Sequence, residues 1–158
     1  MESDIHKIHR DLTGGRISCE ELISQKISGL KDSSHNTANF LFSETALKNA
    51  QKVDKKLKAG DVIGLMEGIP FGIKDVFLLQ GAPASASSEF LKNYTSPYTA
   101  TAIQKLLDAG AIPVVKENCD SFGHGSSNEN TVFGPAKNAH NETLVAGGSS
   151  GGSAVNVA

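Results

Sequence analysis

The sequence lacks a surplus of either charge and is poor in cysteine. Its 15 Lys and Arg residues are balanced by 17 Asp and Glu residues, which leaves a formal net charge of -2 at pH 7. Direct binding of nucleic acid is therefore not indicated, because it depends on a strongly basic surface. The two cysteines, Cys19 and Cys119, form no C-x-x-C pair, so neither a zinc site nor a disulfide framework is indicated. Two reduced thiols are typical of a cytosolic protein.

Long apolar runs are also missing. Residues 1–10 mix charged side chains with isolated Ile5 and Ile8, and so lack the apolar segment of a secretory signal. No stretch approaches the roughly 20 apolar residues of a transmembrane helix. We therefore expect a cytoplasmic protein without a membrane anchor. Its 158 residues, of which 39% are hydrophobic, suffice for one compact domain.

The N-terminal part, residues 1–60, is predicted to be a helical segment. Apolar residues recur at helical spacing, and Ser18 and Glu21 have the spacing of a capping box, in which each side chain satisfies a free backbone N–H group. Residues 44–58 predict a further helix that ends before Gly60. Residues 40–42 predict a short strand between these helices.

Residues 61–158 differ in character, because glycine, proline and β-branched residues replace the charged helices. Residues 68–76 predict a strand, residues 99–110 a helix, and residues 111–115 a second strand. Pro113 indicates an edge strand or the start of a strand, because proline cannot donate a backbone hydrogen bond. The alternation predicts an α/β fold, and we assign residues 61–158 to the first part of its domain.

Lys74 is the first candidate for chemistry, because it interrupts an otherwise apolar strand between Ile73 and Val76. Burial disfavours the charged form of a lysine, so a buried lysine either pairs with a carboxylate or loses its proton and can act as a base. The alternative is a lysine that faces solvent or forms a surface pair with Asp75. The residue by itself does not decide between them.

The second candidate is the segment Gly-Gly-Ser-Ser-Gly-Gly-Ser at residues 147–153. A flexible linker is disfavoured because both flanks are apolar, and a phosphate-binding loop would need a Gly-Lys-Ser or Gly-x-Gly-x-x-Gly pattern. Gly147, Ser149 and Gly151 do match the nucleophile elbow of α/β-hydrolases. In that fold an acid and a histidine follow the serine, and the nine residues after Ser149 contain neither.

Three motifs in order, at residues 68–75, 125–135 and 147–153, resemble the amidase-signature family. The resemblance implies an α/β fold with a mixed sheet sandwiched between helices, here incomplete and preceded by N-terminal helices. By that resemblance Lys74 matches the catalytic lysine, and Ser149 matches a bridging serine on a cis peptide bond. Neutral Lys74 would take a proton from Ser149, which would take one from a serine nucleophile beyond Ala158. These 158 residues alone are therefore expected not to hydrolyse amides.

Other residues of these motifs have supporting roles in this interpretation. The backbone of Gly125, Ser126 and Ser127 is expected to contact substrate, because small residues let a loop approach the reacting group. Ser150 and Ser153 could join the hydrogen-bond network, although capping of the last helix is the favoured role for Ser153. No metal site is predicted, since a second ligand at the right spacing is missing around the histidine of the 120–125 loop.

Within the family, residues 125–135 resemble the glutamine-hydrolysing A subunit of tRNA-dependent amidotransferases. That resemblance implies glutamine as substrate, partner subunits B and C, and charged tRNA bound through a partner. It implies no cofactor in this chain, with ATP and Mg²⁺ used by the partner. Residues 120–125 and 138–140 depart from the usual pattern of the A subunit, so a stand-alone amidase for other carboxamides is the alternative. An alternative of another class is a non-catalytic module whose Gly/Ser loop binds an anion.

Overall fold

A computed structural model describes residues 3–158 of the chain. Its elements in chain order are α1 (Asp4–Thr13), α2 (Cys19–Asp32), β1 (Ala38–Leu41), α3 (Ser43–Ala59), β2 (Pro70–Lys74), α4 (Thr101–Asp108), β3 (Ile112–Glu117), a 3₁₀ turn (Ser121–Gly123) and α5 (Gly151–Val157). The α/β prediction is confirmed. The strand predicted at 40–42 begins two residues earlier and ends one residue earlier, because Phe42 becomes the N-cap of α3.

The helix boundaries follow from capping groups. Ser18 Oγ accepts a hydrogen bond from the backbone N–H of Glu21 at 3.0 Å, as the capping-box spacing predicts. A second cap comes from α3, where the buried Asp54 carboxylate accepts the N–H groups of Cys19 at 2.7 Å and Glu20 at 3.0 Å. Helix α3 ends where Gly60 adopts φ +83°, a left-handed conformation that glycine adopts without steric cost.

The three strands form a mixed sheet in the order β1-β3-β2. Strand β3 is buried along its whole length and pairs antiparallel with β1 and parallel with β2. Pro113 therefore lies in the central strand, and the prediction of an edge strand was wrong. Its missing N–H costs no ladder bond, because β1 pairs with β3 only from Val115 onward. Pro113 does lie near the start of its strand, as the sequence also allowed.

One apolar cluster joins the N-terminal helices to the sheet. Helices α2 and α3 pack on each other and on the sheet, and the cluster includes Leu12, Ile23, Val53, Ile73 and Val115. The shorter helices contribute less, since Leu12 is the buried residue of α1 and Ile103 that of α4. Within residues 3–158, no helix is long and apolar enough to span a membrane.

Cys19 lies at the junction of α1, α2 and α3. A methyl group added at Gly68 would lie 3.1 Å from Cys19 Sγ and within 3.3 Å of Leu12 and Val53, which shows how closely the chain packs there. Burial raises the pKa of the Cys19 thiol to about 12, and the negative charges of Asp54 and Glu67 contribute to that rise.

We predict that Cys19 is nearly inert in the folded chain. Thiol reagents attack the thiolate, and a pKa raised from 9.0 to about 12 lowers the thiolate fraction at pH 8 roughly a thousandfold. Mass spectrometry of the Cys19 peptide after maleimide treatment should show labelling at least that much slower than in urea. A Ser24→Cys variant on the exposed side of α2 supplies the freely reactive control. Native labelling of Cys19 within tenfold of that control would contradict this packing.

Candidate active site

The candidate site forms where β2 ends and α5 begins. Lys74 is the last residue of β2, and its Nζ donates a hydrogen bond of 2.6 Å to the Oγ of Ser149. Ser149 lies two residues before α5, and the Gly148–Ser149 peptide bond is cis. The structure therefore brings together an amine and a hydroxyl, which is the pair that the sequence motifs predicted.

Lys74 is half-buried, so it is neither enclosed in the core nor fully exposed to solvent. The reason is the alternation of strand side chains, because Ile73 faces the core and is 1% exposed while Lys74 faces the opposite side of β2. The surface pair with Asp75 is not formed either, since Asp75 is itself buried. The Lys74 amine instead lies beside Ser149, at the edge of the sheet.

Lys116 is the lysine that the core encloses. It is 0% exposed in β3, and its Nζ lies 3.4 Å from an Asp75 carboxylate oxygen. Burial lowers the pKa of Lys116, and the negative charge of Asp75 opposes that shift. The Asp75 carboxylate also accepts hydrogen bonds from Asn39 Nδ2 and the Ser87 N–H group, both at 3.1 Å, and from the Ser85 hydroxyl.

Asp120 fixes the position of Ser149 from the loop side. Its backbone N–H donates to the Ser149 carbonyl oxygen at 3.1 Å. Its buried carboxylate accepts the N–H groups of Asn128 at 3.0 Å and Asn130 at 3.2 Å. A methyl group added at Gly148 would lie 2.1 Å from this carboxylate. Glycine is therefore required beside Ser149 if the carboxylate is to stay where it is.

The loop predicted to contact substrate lies against the same peptide bond. A methyl group at Gly148 would lie 2.8 Å from the Ser127 nitrogen, so Ser127 is packed beside the Ser149 turn. Gly125 lies over the Asp120 carboxylate, and Ser126 is exposed to solvent. That these residues bind substrate stays a prediction, which the loop's position permits.

The last helix is held by a carboxylate from the sheet. Glu117, at the end of β3, accepts hydrogen bonds from the Ser153 hydroxyl and from Asn156 Nδ2. The capping role favoured for Ser153 was wrong, because Ser153 lies inside the first turn of α5 and its side chain reaches down to the strand. Ser150 occupies the N-cap position and is half-buried. Gly72 leaves the space that the Glu117 carboxylate fills.

Sequence reasoning missed the buried ionisable residues that frame the site: Asp75, Lys116, Glu117 and Asp120. A signal for two of them was present, because Lys116 and Glu117 directly follow the apolar run at 112–115. Charges that continue a buried strand must find partners, and that expectation was applied only to Lys74. Among the described residues, no group of three or more His, Cys, Asp or Glu side chains is placed to hold a metal.

Comparison with known sequences shows which proteins share these features. The sequence pattern of the amidase family matches residues 21–158. The A subunit of glutamyl-tRNA(Gln) amidotransferase from Prochlorococcus marinus (strain NATL2A) is 40% identical over 153 residues, which are 96% of this chain and 32% of that protein. Its counterpart from Chlorobaculum parvum is 44% identical over 150 residues, 93% of this chain and 31% of that protein. The chain thus spans about a third of the length of these relatives.

Solved structures lead to the same family. A crystal structure of an amidase superposes with a TM-score of 0.88 at 33% identity, covering 98% of this chain and 36% of that one. The native peptide amidase of Stenotrophomonas maltophilia superposes with a TM-score of 0.86 at 27% identity, covering 99% of this chain and 34% of its own. The resemblance and the fold class inferred from the sequence motifs are confirmed.

We predict that Asp120→Asn destabilises the chain by about 1–3 kcal/mol. The asparagine amide would turn an N–H group towards the N–H of Asn128 or Asn130, and one buried donor would lose its acceptor. Urea unfolding followed by circular dichroism measures the change. Asp61→Asn, at an exposed position, is the matched control, and equal unfolding midpoints for the two variants would show that Asp120 does not organise this loop.

Proposed function

The chain belongs to the amidase family, and we propose that it supplies the lysine base and the bridging serine of an amide hydrolysis reaction whose substrate is glutamine. The observation that carries this proposal is the 2.6 Å hydrogen bond between Lys74 Nζ and Ser149 Oγ. A hydroxyl bound to an amine at this distance can pass a proton to it, which is the first requirement of general base catalysis.

The proposed reaction uses the two residues as a proton relay. Neutral Lys74 takes the proton of the Ser149 hydroxyl, while Ser149 takes the proton of a serine nucleophile that attacks the amide carbon. The relay then runs in reverse and protonates the departing nitrogen, so ammonia leaves and an acyl-enzyme remains. Water resolves the acyl-enzyme by the same relay. In this proposal the nucleophile belongs to the part of the longer relatives that these 158 residues do not span.

A base of this kind needs its proton removed before each cycle. The Lys74 amine is half-buried and hydrogen-bonded to the Ser149 hydroxyl. A carboxylate paired with the amine would hold its proton in place, and Asp75 follows Lys74 directly in sequence. However, Asp75 turns away into the core, where Lys116, Asn39 and Ser87 bind it.

Glutamine is the proposed substrate because relatives that are 40% and 44% identical are named as the A subunit of glutamyl-tRNA(Gln) amidotransferase. We propose that the ammonia passes to partner subunits B and C, which bind the charged tRNA and use ATP and Mg²⁺. The chain itself needs no cofactor for the relay described above.

A stand-alone amidase acting on other carboxamides is the second candidate. It is supported by the solved structures of an amidase and a peptide amidase that share this fold. It is also supported by the departures at residues 120–125 and 138–140 from the amidotransferase pattern. The two candidates differ in whether activity requires partner subunits.

We predict that Lys74→Met and Ser149→Ala each lower amide hydrolysis by roughly 10²–10⁴-fold, the contribution of general acid–base catalysis. The assay uses a chimera, in which this chain replaces the matching first third of the Chlorobaculum parvum relative, co-expressed with that organism's partner subunits. Glutamate release from glutamine is measured. Lys105→Met, which removes an exposed lysine of α4, is the control and should change the rate less than about twofold.

The same assay separates the candidates. Hydrolysis of simple carboxamides in preference to glutamine, without partner subunits, would favour the stand-alone amidase. A Lys74→Met variant that keeps more than a tenth of the activity would refute the relay. Sulfate that raises the thermal midpoint of the 158-residue chain would favour the anion-binding module instead.

A further inference from the structure

The buried Lys116 holds the turn that follows Lys74. Its Nζ donates a hydrogen bond to the Phe77 carbonyl oxygen at 2.5 Å and lies 3.4 Å from the Asp75 carbonyl oxygen. Both acceptors belong to the backbone of residues 74–77, which leave β2 at its end. The ammonium group therefore bridges the central strand and the segment that bears the candidate base.

Backbone hydrogen bonds also hold the turn at residues 74–77. The Phe77 N–H donates to the Lys74 carbonyl oxygen at 2.9 Å, and the Asp75 N–H donates to the Glu117 carbonyl oxygen at 3.0 Å. The Lys74 carbonyl is thus tied to residue 77, and the Phe77 carbonyl is tied to Lys116. A displacement of Phe77 would be passed directly to the backbone of Lys74.

Stability alone does not account for a charged pair at this place. Lys116 is 0% and Asp75 is 2% exposed, and replacing a buried ion pair by apolar residues is often neutral or stabilising. Burial lowers the pKa of Lys116, and the negative charge of Asp75 opposes that shift. An apolar side chain at this position could not donate a hydrogen bond to the Phe77 carbonyl oxygen.

The Asp75 carboxylate keeps its position without Lys116. Asn39, Ser85 and the Ser87 N–H donate to its Oδ2 atom, while Lys116 lies near Oδ1. Removal of the Lys116 ammonium would thus leave this carboxylate with three of its donors. The interaction specific to Lys116 is the one with the turn.

We propose that Lys116 is a positioning residue of the amide hydrolysis site, which sets the Lys74 amine at hydrogen-bonding distance from Ser149 by holding the carbonyl oxygen of Phe77. The geometric part of this inference is independent of the reaction, and the catalytic part rests on the proposed function. Lys116 has no contact with the reacting groups in this role and acts only through the 74–77 turn.

The first test is the reactivity of the Lys74 amine in the 158-residue chain. Trace acetylation with acetic anhydride, followed by mass spectrometry, gives the rate at Lys74 relative to exposed Lys105. In the Lys116→Met variant the Lys74 amine loses its fixed place beside Ser149. Its acetylation rate relative to Lys105 should therefore rise roughly fivefold, which is the effect of losing one hydrogen bond. Val114→Ala, at a buried position of the same strand, is the control for general loosening and should leave the Lys74 rate unchanged.

The second test is kinetic and uses the chimera described above. Lys116→Met should lower kcat roughly ten- to a hundredfold through misplacement of the base, with KM changed less than about twofold. Val114→Ala should lower neither by more than about twofold. Should Lys116→Met fail to fold, the double variant Asp75→Asn/Lys116→Met removes both buried charges and takes its place in both tests.

The two tests separate this inference from the proposed function. Raised acetylation of Lys74 in the Lys116→Met chain, together with a wild-type chimera that has no amidase activity, would support the positioning role and refute the proposed reaction. Unchanged acetylation would overturn the positioning role, whether or not the wild-type chimera is active. A fall in kcat that Val114→Ala matches would also overturn it, since the loss would then reflect general loosening of the strand.

Discussion

A lysine amine and a serine hydroxyl that are 75 positions apart in the chain lie 2.6 Å from each other only because both backbones are fixed independently. Lys74 ends a strand that is paired with the central β3, and the turn after it is tied to Lys116 and Glu117. Ser149 is fixed from the other side by the Asp120 N–H group. The contact therefore depends on the end of β3 and on the residues directly after it, which together reach both partners.

Three buried charged residues lie at the end of β3 and directly after it. Lys116, Glu117 and Asp120 follow one another within five residues, and each is buried. A buried charge is costly unless it is hydrogen-bonded, and each of these groups has partners in a different neighbouring segment. Lys116 holds the turn after β2, Glu117 holds α5, and Asp120 holds the loop at 125–130. Because each buried charge needs hydrogen-bond partners, these contacts bring three separate segments to the same place.

The comparisons relate the chain both to amidases and to amidotransferase subunits. The chain shares its fold with an amidase at 33% identity and a peptide amidase at 27% identity, while relatives named as parts of an amidotransferase reach 40–44% identity. A fold by itself does not define a substrate. The proposed proton relay would serve any amide, whereas the loop at 125–130 contains the residues that we predict to contact substrate.

Local patterns in the sequence determined the helices and the α/β class, and the resemblance of three motifs to the amidase-signature family implied the pair Lys74 and Ser149. Capping groups, helical spacing and closely spaced glycines act over a few residues, so they can be recognised along the chain. Only the tertiary structure decided that Lys116 is the enclosed lysine, that Pro113 lies in the central strand, and that Ser153 binds Glu117. Each of these depends on which strand or helix becomes a neighbour, and that is set by packing between segments far apart in sequence rather than by the residues adjacent in the chain.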